Sequence, residues 1–343
     1  MITRQIARRT LLTRSGFGLG AAIGAGLGSS FPPAEGRAGP GSDVRSQSYW
    51  ADKGSVRLAM YRKWPGNLGG SPEKPLPVLF LVHGSSLSAM SSFDLQVPGD
   101  EYSMMNVFAR DGFDVWTMDH EGFGRSTQTS RTSDIASRVD DLKAAMTTVQ
   151  RETGRDKLHV FGESSGAITA AAFVQAEPER VDRLMLAAFT YKGEDAAEIA
   201  RRRARIDELR ASPRRKRDAA MIRSIFTRDG HPSLYDAAMV EALLAAEMLN
   251  GDSVPSGSYV DMAVNLPLVD PAKVRAPVLI TRGEWDGNST DSDLLEFFRA
   301  LPNGDRQYVI LPNTAHSQAF SKNRQLLWYA MKNFLNAPAA VAS

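Results

Sequence analysis

A serine stands at the centre of Gly162-Glu163-Ser164-Ser165-Gly166, a G-x-S-x-G pattern between the β-rich stretch Lys157 to Phe161 and the Ala-rich, helix-suited stretch Ala167 to Val174. Strand, tight turn and helix are what a serine nucleophile elbow requires. The turn lifts the Ser164 hydroxyl clear of a sheet, Gly162 and Gly166 let strand and helix approach, and the helix start favours negative charge. Five residues of common types carry little weight alone, so the partners of Ser164 decide the reading.

A hydroxyl nucleophile needs a base within hydrogen-bond reach, and imidazole is the usual one near neutral pH. The chain has five histidines. His83 and His120 each sit at the exit of a strand pattern, His159 lies inside one, and His231 falls in a segment without strand character. His316, in Leu311-Pro312-Asn313-Thr314-Ala315-His316, follows the last expected strand, where a loop can bring it over the sheet edge. It is the best candidate base. The base in turn needs a carboxylate that holds its tautomer and stabilises the imidazolium. Asp286, in Thr281-Arg282-Gly283-Glu284-Trp285-Asp286, follows the preceding strand, with Glu194 and Glu284 as rivals. The order Ser164, Asp286, His316 suits one sheet edge.

Elements that could position these groups are readable along the chain. Tyr49-Trp50-Ala51 and Ser55 to Tyr61, joined by Asp52-Lys53-Gly54, predict an opening hairpin, and Pro65 to Pro77 a loop. Val78 to Val82 is a continuous apolar run, expected of a strand buried on both faces. The pattern then alternates: helix near Tyr102 to Arg110, strand Phe113 to Met118, helix Asp134 to Glu152, strand Leu158 to Phe161, helix Ser165 to Gln175, strand Arg183 to Phe189. Ile135, Val139, Leu142, Met146 and Val149 share one helical face. After a helical, Arg- and Ala-rich interruption without clear strands, strand Pro277 to Ile280, helix Asp291 to Ala300, strand Gln307 to Leu311 and a closing helix Gln318 to Leu335 resume the rhythm. Repeated β-α-β order predicts a mainly parallel sheet with helices on both sides.

Taken together, the elbow, the downstream Asp and His, His83-Gly84-Ser85-Ser86 and Asp119-His120-Glu121-Gly122-Phe123-Gly124-Arg125-Ser126 resemble the α/β-hydrolase family over Gln47 to Leu335. The His83 segment is similar to the family's oxyanion loop and the Asp119 segment to its D-x-x-G-x-G-x-S loop. The resemblance implies an α/β fold with a mainly parallel, eight-stranded sheet flanked by helices and an inserted helical lid. It also implies that the backbone N–H groups of Ser85 and Ser165 bind a tetrahedral oxyanion, with Ser85 or Ser86 able to add a hydroxyl donor. Glu163, beside the nucleophile, is read as solvated or ion-paired, and His120 and Glu121 as structural. Ser86, Met90, Phe93, Phe189, Tyr191 and Trp285 are candidate pocket residues near sheet ends. Met104 shares that placement.

The expected organisation is a signal peptide over 1–38, a first core part over 39–191, a lid over 192–270 and a second core part over 271–343. Arg8-Arg9, a Gly/Ala/Leu run to Phe31 and Pro32-Pro33-Ala34-Glu35-Gly36 resemble a twin-arginine export signal, which implies a periplasmic or secreted protein. Residues 1–38 hold five Arg and one Glu, so without them the formal charge moves from +2 to −2 and gives no reason to expect nucleic acid as a partner. No membrane span is expected in the mature chain. Absence of Cys excludes disulfides and thiol catalysis. The basic run Arg201, Arg202, Arg203, Arg205, Arg214, Arg215 and Lys216 reads as a solvated helical face, because Glu198 and Arg202, and Arg203 and Asp207, have i, i+4 spacing.

These features predict an exported serine hydrolase that cleaves a small-molecule carboxylic ester through an acyl-enzyme, with no metal and no cofactor. A C–C bond hydrolase, lactonase, amidase or cofactor-free haloperoxidase on the same fold is the alternative, and a non-catalytic binding protein the rival from another class. Epoxide hydrolases and dehalogenases are disfavoured, since those relatives carry Asp at the elbow.

Overall fold

The computed structural model describes residues 43–66 and 75–338. The expected signal peptide, residues 1–38, lies outside the described residues. Eight strands form one sheet in the order β1-β2-β6-β3-β7-β8-β11-β12. Their ranges are β1 Val44–Lys53, β2 Val56–Pro65, β3 Val78–Val82, β6 Asp114–Met118, β7 Leu158–Glu163, β8 Val181–Ala187, β11 Val278–Gly283 and β12 Arg306–Leu311. Only β1–β2 and β2–β6 pair antiparallel, and every pairing from β6 to β12 is parallel.

The central strand explains the two-layered core. In β3, Val78, Phe80 and Val82 enter one hydrophobic cluster while Leu79 and Leu81 enter another on the opposite face. Alternation with period two therefore needs apolar residues at every position of a strand covered on both sides. Helices α1 (Ala89–Phe93), α2 (Met104–Arg110) and α11 (Arg324–Leu335) supply one layer. Helices α3 (Ile135–Thr153), α4 (Ser165–Ala176) and α10 (Asp291–Ala300) supply the other. Asp134 caps α3 by accepting from the Ser137 N–H at 2.8 Å, and Gly154 closes it at φ +68°.

Most expected elements are present with shifted ends. The opening hairpin extends to Val44 and Pro65, five residues before and four beyond the expected strands, as its ladder continues on both sides. The expected closing helix instead begins with a single turn at Gln318–Phe320 and becomes helical only from Arg324. Gln318 is pinned by accepting from the Thr281 hydroxyl at 2.7 Å and donating to the Thr281 carbonyl at 3.0 Å, which ties the preceding loop to β11.

Two small sheets went unforeseen. A hairpin of β4 (Leu95–Val97) and β5 (Asp100–Tyr102) turns at Gly99, φ +82°. Inside the insertion, β9 (Arg214–Lys216) pairs antiparallel with β10 (Ser253–Pro255). Three-residue strands leave too short a periodic trace to read. The insertion otherwise carries α5 (Ala197–Arg203), α6 (Ile206–Ala211), α7 (Ala219–Ser224), α8 (Ala237–Met248) and α9 (Gly257–Val264). No helix among the described residues is long and apolar enough to cross a membrane.

Candidate active site

Between β7 and α4 the backbone turns sharply at Ser164, whose φ of 59° and ψ of −126° lie in a region that side chains other than glycine rarely occupy. The surroundings enforce it. The Ser164 N–H donates to Ala187 O at 2.9 Å, and the Ser164 carbonyl accepts from the Ala167 N–H at 2.9 Å. A Cβ on Gly162 would collide with the Gly166 backbone, and one on Gly166 with Val82 O, so both positions require glycine.

His316 arrives from the loop after β12. Its Nε2 lies 2.9 Å from Ser164 Oγ, its Nδ1 lies 2.8 Å from Asp286 Oδ1, and its backbone N–H donates to Asp229 Oδ2 at 3.2 Å. Asp286 is buried and also accepts from the Asn288 N–H at 2.8 Å. Burial alone would raise its carboxyl, but His316 above all, with Asn288 and Arg228, holds it below the usual carboxylate range. An Asp286 held in its carboxylate form fixes the Nδ1–H tautomer and leaves Nε2 free to take a proton from Ser164. Neither rival carboxylate does this: Glu194 is exposed, and Glu284 is exposed and accepts from the Asn313 N–H at 2.8 Å.

The expected oxyanion donors come from adjacent segments. Ser165 heads α4, so its N–H has no partner in the helical ladder. The β3 exit loop runs beside the elbow, where a Cβ on Gly84 would meet Ser164 Cβ at 3.5 Å. Side chains lock this arrangement: Ser85 Oγ donates to Ser165 Oγ at 2.5 Å, which also accepts from Arg138 at 3.2 Å, while Ser258 Oγ donates to Ser85 Oγ at 2.9 Å. The Ser85 hydroxyl is therefore committed to Ser165. The Ser86 hydroxyl contacts the Tyr259 hydroxyl at 3.1 Å and accepts from Arg215 at 2.9 Å.

His83 and His120 are buried, and burial pushes both well below the ordinary imidazole range, so both stay neutral. His83 Nδ1 lies 2.8 Å from Gly84 O and its Nε2 accepts the His120 N–H at 3.1 Å; His120 Nδ1 lies 3.1 Å from Asp141. The Asp119 loop is likewise structural. Asp119 accepts from Tyr61 OH at 2.8 Å, Ala89 N–H at 2.8 Å and Arg125 N–H at 3.0 Å, and Ser126 Oγ donates to Asp119 O at 2.5 Å. Glu163 departs from expectation: it is neither solvated nor ion-paired. It is buried, accepts from the Ala319 N–H at 3.4 Å, and burial pushes its carboxyl up against the opposing pull of His316.

The pocket beside Ser164 corrects most of the candidate lining. Of the six residues, Ser86 alone lines it, together with Ser85, Leu87, Ile225, Met262 and Phe320. Met90 packs on the α2 side of the sheet, Phe93 meets Phe161 edge-on at 6.1 Å, and Met104 is in the same core. Phe189 and Tyr191 pack on Phe297 at 4.8 and 5.2 Å, and Trp285 stacks on His231 at 4.4 Å with 42% of its surface exposed. Residues just beyond strand ends follow the loop's path into one layer or the other, which strand periodicity does not specify.

The basic run is also only partly a solvated face. Arg201 and Arg205 are exposed, and Glu198 and Arg202 do pair at 3.4 Å. Arg202, however, is 5% exposed, and Arg203 donates to Ala263 O at 2.9 Å rather than to Asp207. Arg202 and Arg228 line the Ser164 pocket with Tyr259. Neither Arg228 nor Tyr259 belongs to a motif, so nothing local marks them.

A family model described as serine aminopeptidase, S33 (Hydrolase_4), matches residues 101–323. Among curated proteins, the chain is similar to a 2-hydroxy-6-oxononadienedioate/2-hydroxy-6-oxononatrienedioate hydrolase of Paraburkholderia phymatum, 33% identical over 111 residues. That match spans 32% of this chain and 34% of the relative. Among solved structures, an esterase from Thermogutta terrifontis superposes with a TM-score of 0.59 at 20% identity, covering 84% of this chain and 98% of that one. A 2-hydroxy-6-oxo-6-phenylhexa-2,4-dienoate hydrolase from Rhodococcus sp. strain RHA1 gives 0.59 at 18%, covering 86% and 100%. Identities this low speak to the fold alone.

Proposed function

The chain belongs to the S33 serine aminopeptidase family of α/β-hydrolases, and from that premise we propose a serine hydrolase that cleaves a carboxylic ester through an acyl-enzyme at Ser164. The observation that carries this reading is the continuous relay from Asp286 Oδ1 through His316 to Ser164 Oγ, with contacts of 2.8 and 2.9 Å. Ser164 Oγ adds to the ester carbonyl while its proton passes to His316 Nε2. The imidazolium is held by Asp286, and the oxyanion lies against the N–H groups of Ser85 and Ser165. The tetrahedral adduct then expels the alkoxide, which takes the proton from His316. Water repeats the sequence on the acyl-enzyme, with His316 as base, and releases the acid.

C–C bond hydrolysis is the second reading, favoured by the similarity to the 2-hydroxy-6-oxononadienedioate hydrolase of P. phymatum. A panel of chromogenic esters set against vinylogous diketone and amide substrates separates the two. Turnover of esters alone supports the ester reading, and turnover of the diketone alone replaces it.

We infer export from Arg8-Arg9 and the Gly/Ala/Leu run that follows. Fractionation of cells expressing the chain with both arginines changed to lysine tests this. Retention of that variant in the cytoplasm is the expected outcome, and unchanged export contradicts it.

A further inference from the structure

Tyr259, on α9, is the meeting point of three guanidinium groups drawn from separate parts of the insertion. Arg215 of β9 stands over its ring at 3.8 Å and Arg202 of α5 at 4.5 Å, while Arg228, just after α7, lines the Ser164 pocket beside it. Cation–π contact favours each of the first two pairs, but it does not neutralise three positive charges.

The carboxylates nearby leave the cluster unbalanced. Glu198 is 3.4 Å from Arg202 and is shared with Arg201 at 3.0 Å. Arg215 donates to Ser85 O at 2.7 Å and to the Ser86 hydroxyl at 2.9 Å, both uncharged. Arg228 feels the charges of Asp229, Glu198 and Asp286, but none of these carboxylates is within ion-pair or hydrogen-bond distance of its guanidinium. Arg228 makes no side-chain hydrogen bond or ion pair among the described residues. The Nε atoms of Arg215 and Arg228 are buried without a hydrogen-bond partner, and that of Arg202 has only its 3.4 Å ion-pair contact with Glu198. Orphaned buried donors are rare enough in native proteins to demand a reason, and several converging in one pocket suit a ligand that brings the acceptors.

The approach carries an excess of the same sign. A second cavity, about 690 Å³, is lined by Arg201, Arg205, Arg214, Arg215 and Lys216 against two carboxylates, Glu198 and Glu208, and shares Arg202, Ile225, Arg228 and Tyr259 with the Ser164 pocket. A cleft with an excess of one sign of charge concentrates ligands of the other. Tyr259 responds to the same field: burial would raise its hydroxyl, yet Arg215, Arg202 and Arg228, in that order, bring it down to about 7.

We propose that Arg202, Arg215, Arg228 and Tyr259 form a subsite for a carboxylate carried by the substrate, so that Ser164 acts on the hemiester of a dicarboxylic acid. The proposal rests on the reading of Ser164 as nucleophile and adds what that reading lacks, the charge of the substrate. Guanidinium pairs match a carboxylate in geometry, and binding it would satisfy donors that are now orphaned.

The test compares kcat/KM for p-nitrophenyl hemiglutarate and p-nitrophenyl butyrate in the native protein and in Arg228→Gln. A preference for the hemiglutarate of about tenfold or more, falling about tenfold in the variant, is expected. The ratio is taken within one protein, so it does not depend on the folded fraction. Butyrate hydrolysed as well as the hemisuccinate, hemiglutarate and hemiadipate, or a ratio unmoved by Arg228→Gln, overturns the proposal. A second arm needs no turnover: calorimetric titration of glutarate into Ser164→Ala and into Ser164→Ala/Arg228→Gln. Binding that weakens about tenfold in the double variant is expected. No binding, or equal binding, overturns the subsite even if Ser164 proves to be the nucleophile; hydrolysis of the hemiglutarate that persists at the native rate in Ser164→Ala, with glutarate binding intact, overturns the Ser164 reading instead.

Discussion

Asp286 Oδ1 accepts the His316 Nδ1–H at 2.8 Å while every other acidic candidate for that role points into solvent or to another partner. Asp286→Asn is therefore expected to lower kcat by about 10³- to 10⁴-fold with little change in KM, because the amide stabilises the wrong tautomer. Glu284→Gln, which touches only the Asn313 N–H, is expected to stay within about twofold of native activity. Steady-state kinetics of the two variants on one ester check the assignment. Comparable losses in both would return the acid role to dispute.

Glu163 gives a pH signature in stability. Its carboxyl is raised by burial, so the folded state holds the proton more tightly than the unfolded chain. The stability it contributes is fully present below the ordinary carboxylate range and is lost as pH rises through its raised value. Glu163→Gln should accordingly melt higher than the native protein at neutral pH, with the advantage vanishing in acid. Thermal denaturation across a pH series measures this, and an advantage that grows in acid contradicts it.

Gly124 is held at φ +46°, where a Cβ would run into the Asp119 carboxylate that organises the loop beneath the site. Gly124→Ala combines backbone strain with the loss of Asp119 contacts and should cost about 2–3 kcal/mol. Urea unfolding is the measurement. A change within about 0.5 kcal/mol would mean that the loop repacks freely.

Tyr259 should be the first tyrosine to ionise. Its hydroxyl is brought to about 7, whereas burial pushes Tyr61, Tyr102, Tyr235 and Tyr308 upward. Ultraviolet titration is expected to show one tyrosinate forming near neutrality and absent in Tyr259→Phe. Above that pH the phenolate would balance the cations of Arg202, Arg215 and Arg228 itself, so KM for an anionic ester should rise while KM for a neutral ester does not. A titration unchanged in Tyr259→Phe contradicts this account of the cluster.

How much of this was legible depends on distance along the chain. Ser164, Asp286 and His316 could be read because each sits just past a strand of one parallel sheet, where a local apolar run and a turn announce it. The role of Asp119 and Gly124 was carried by a compact local motif. Phe189 and Tyr191 looked similar, but beyond the end of β8 the loop turns them under Phe297 of α10, away from the nucleophile. Arg202, Arg228 and Tyr259 lie on separate segments of the insertion, whose short helices and three-residue strands carry no pattern that fixes their packing. Spacing alone supported the Glu198–Arg202 pair, and that pair formed, yet the same arginine is buried against Tyr259.

If Ser164 is the nucleophile, a fluorophosphonate will modify it covalently, which intact-mass analysis detects and peptide mapping locates. A single adduct on Ser164 is expected, forming far more slowly in His316→Ala and absent in a folded Ser164→Ala protein. An adduct elsewhere, or labelling of Ser164→Ala at the native rate, rules Ser164 out as the nucleophile.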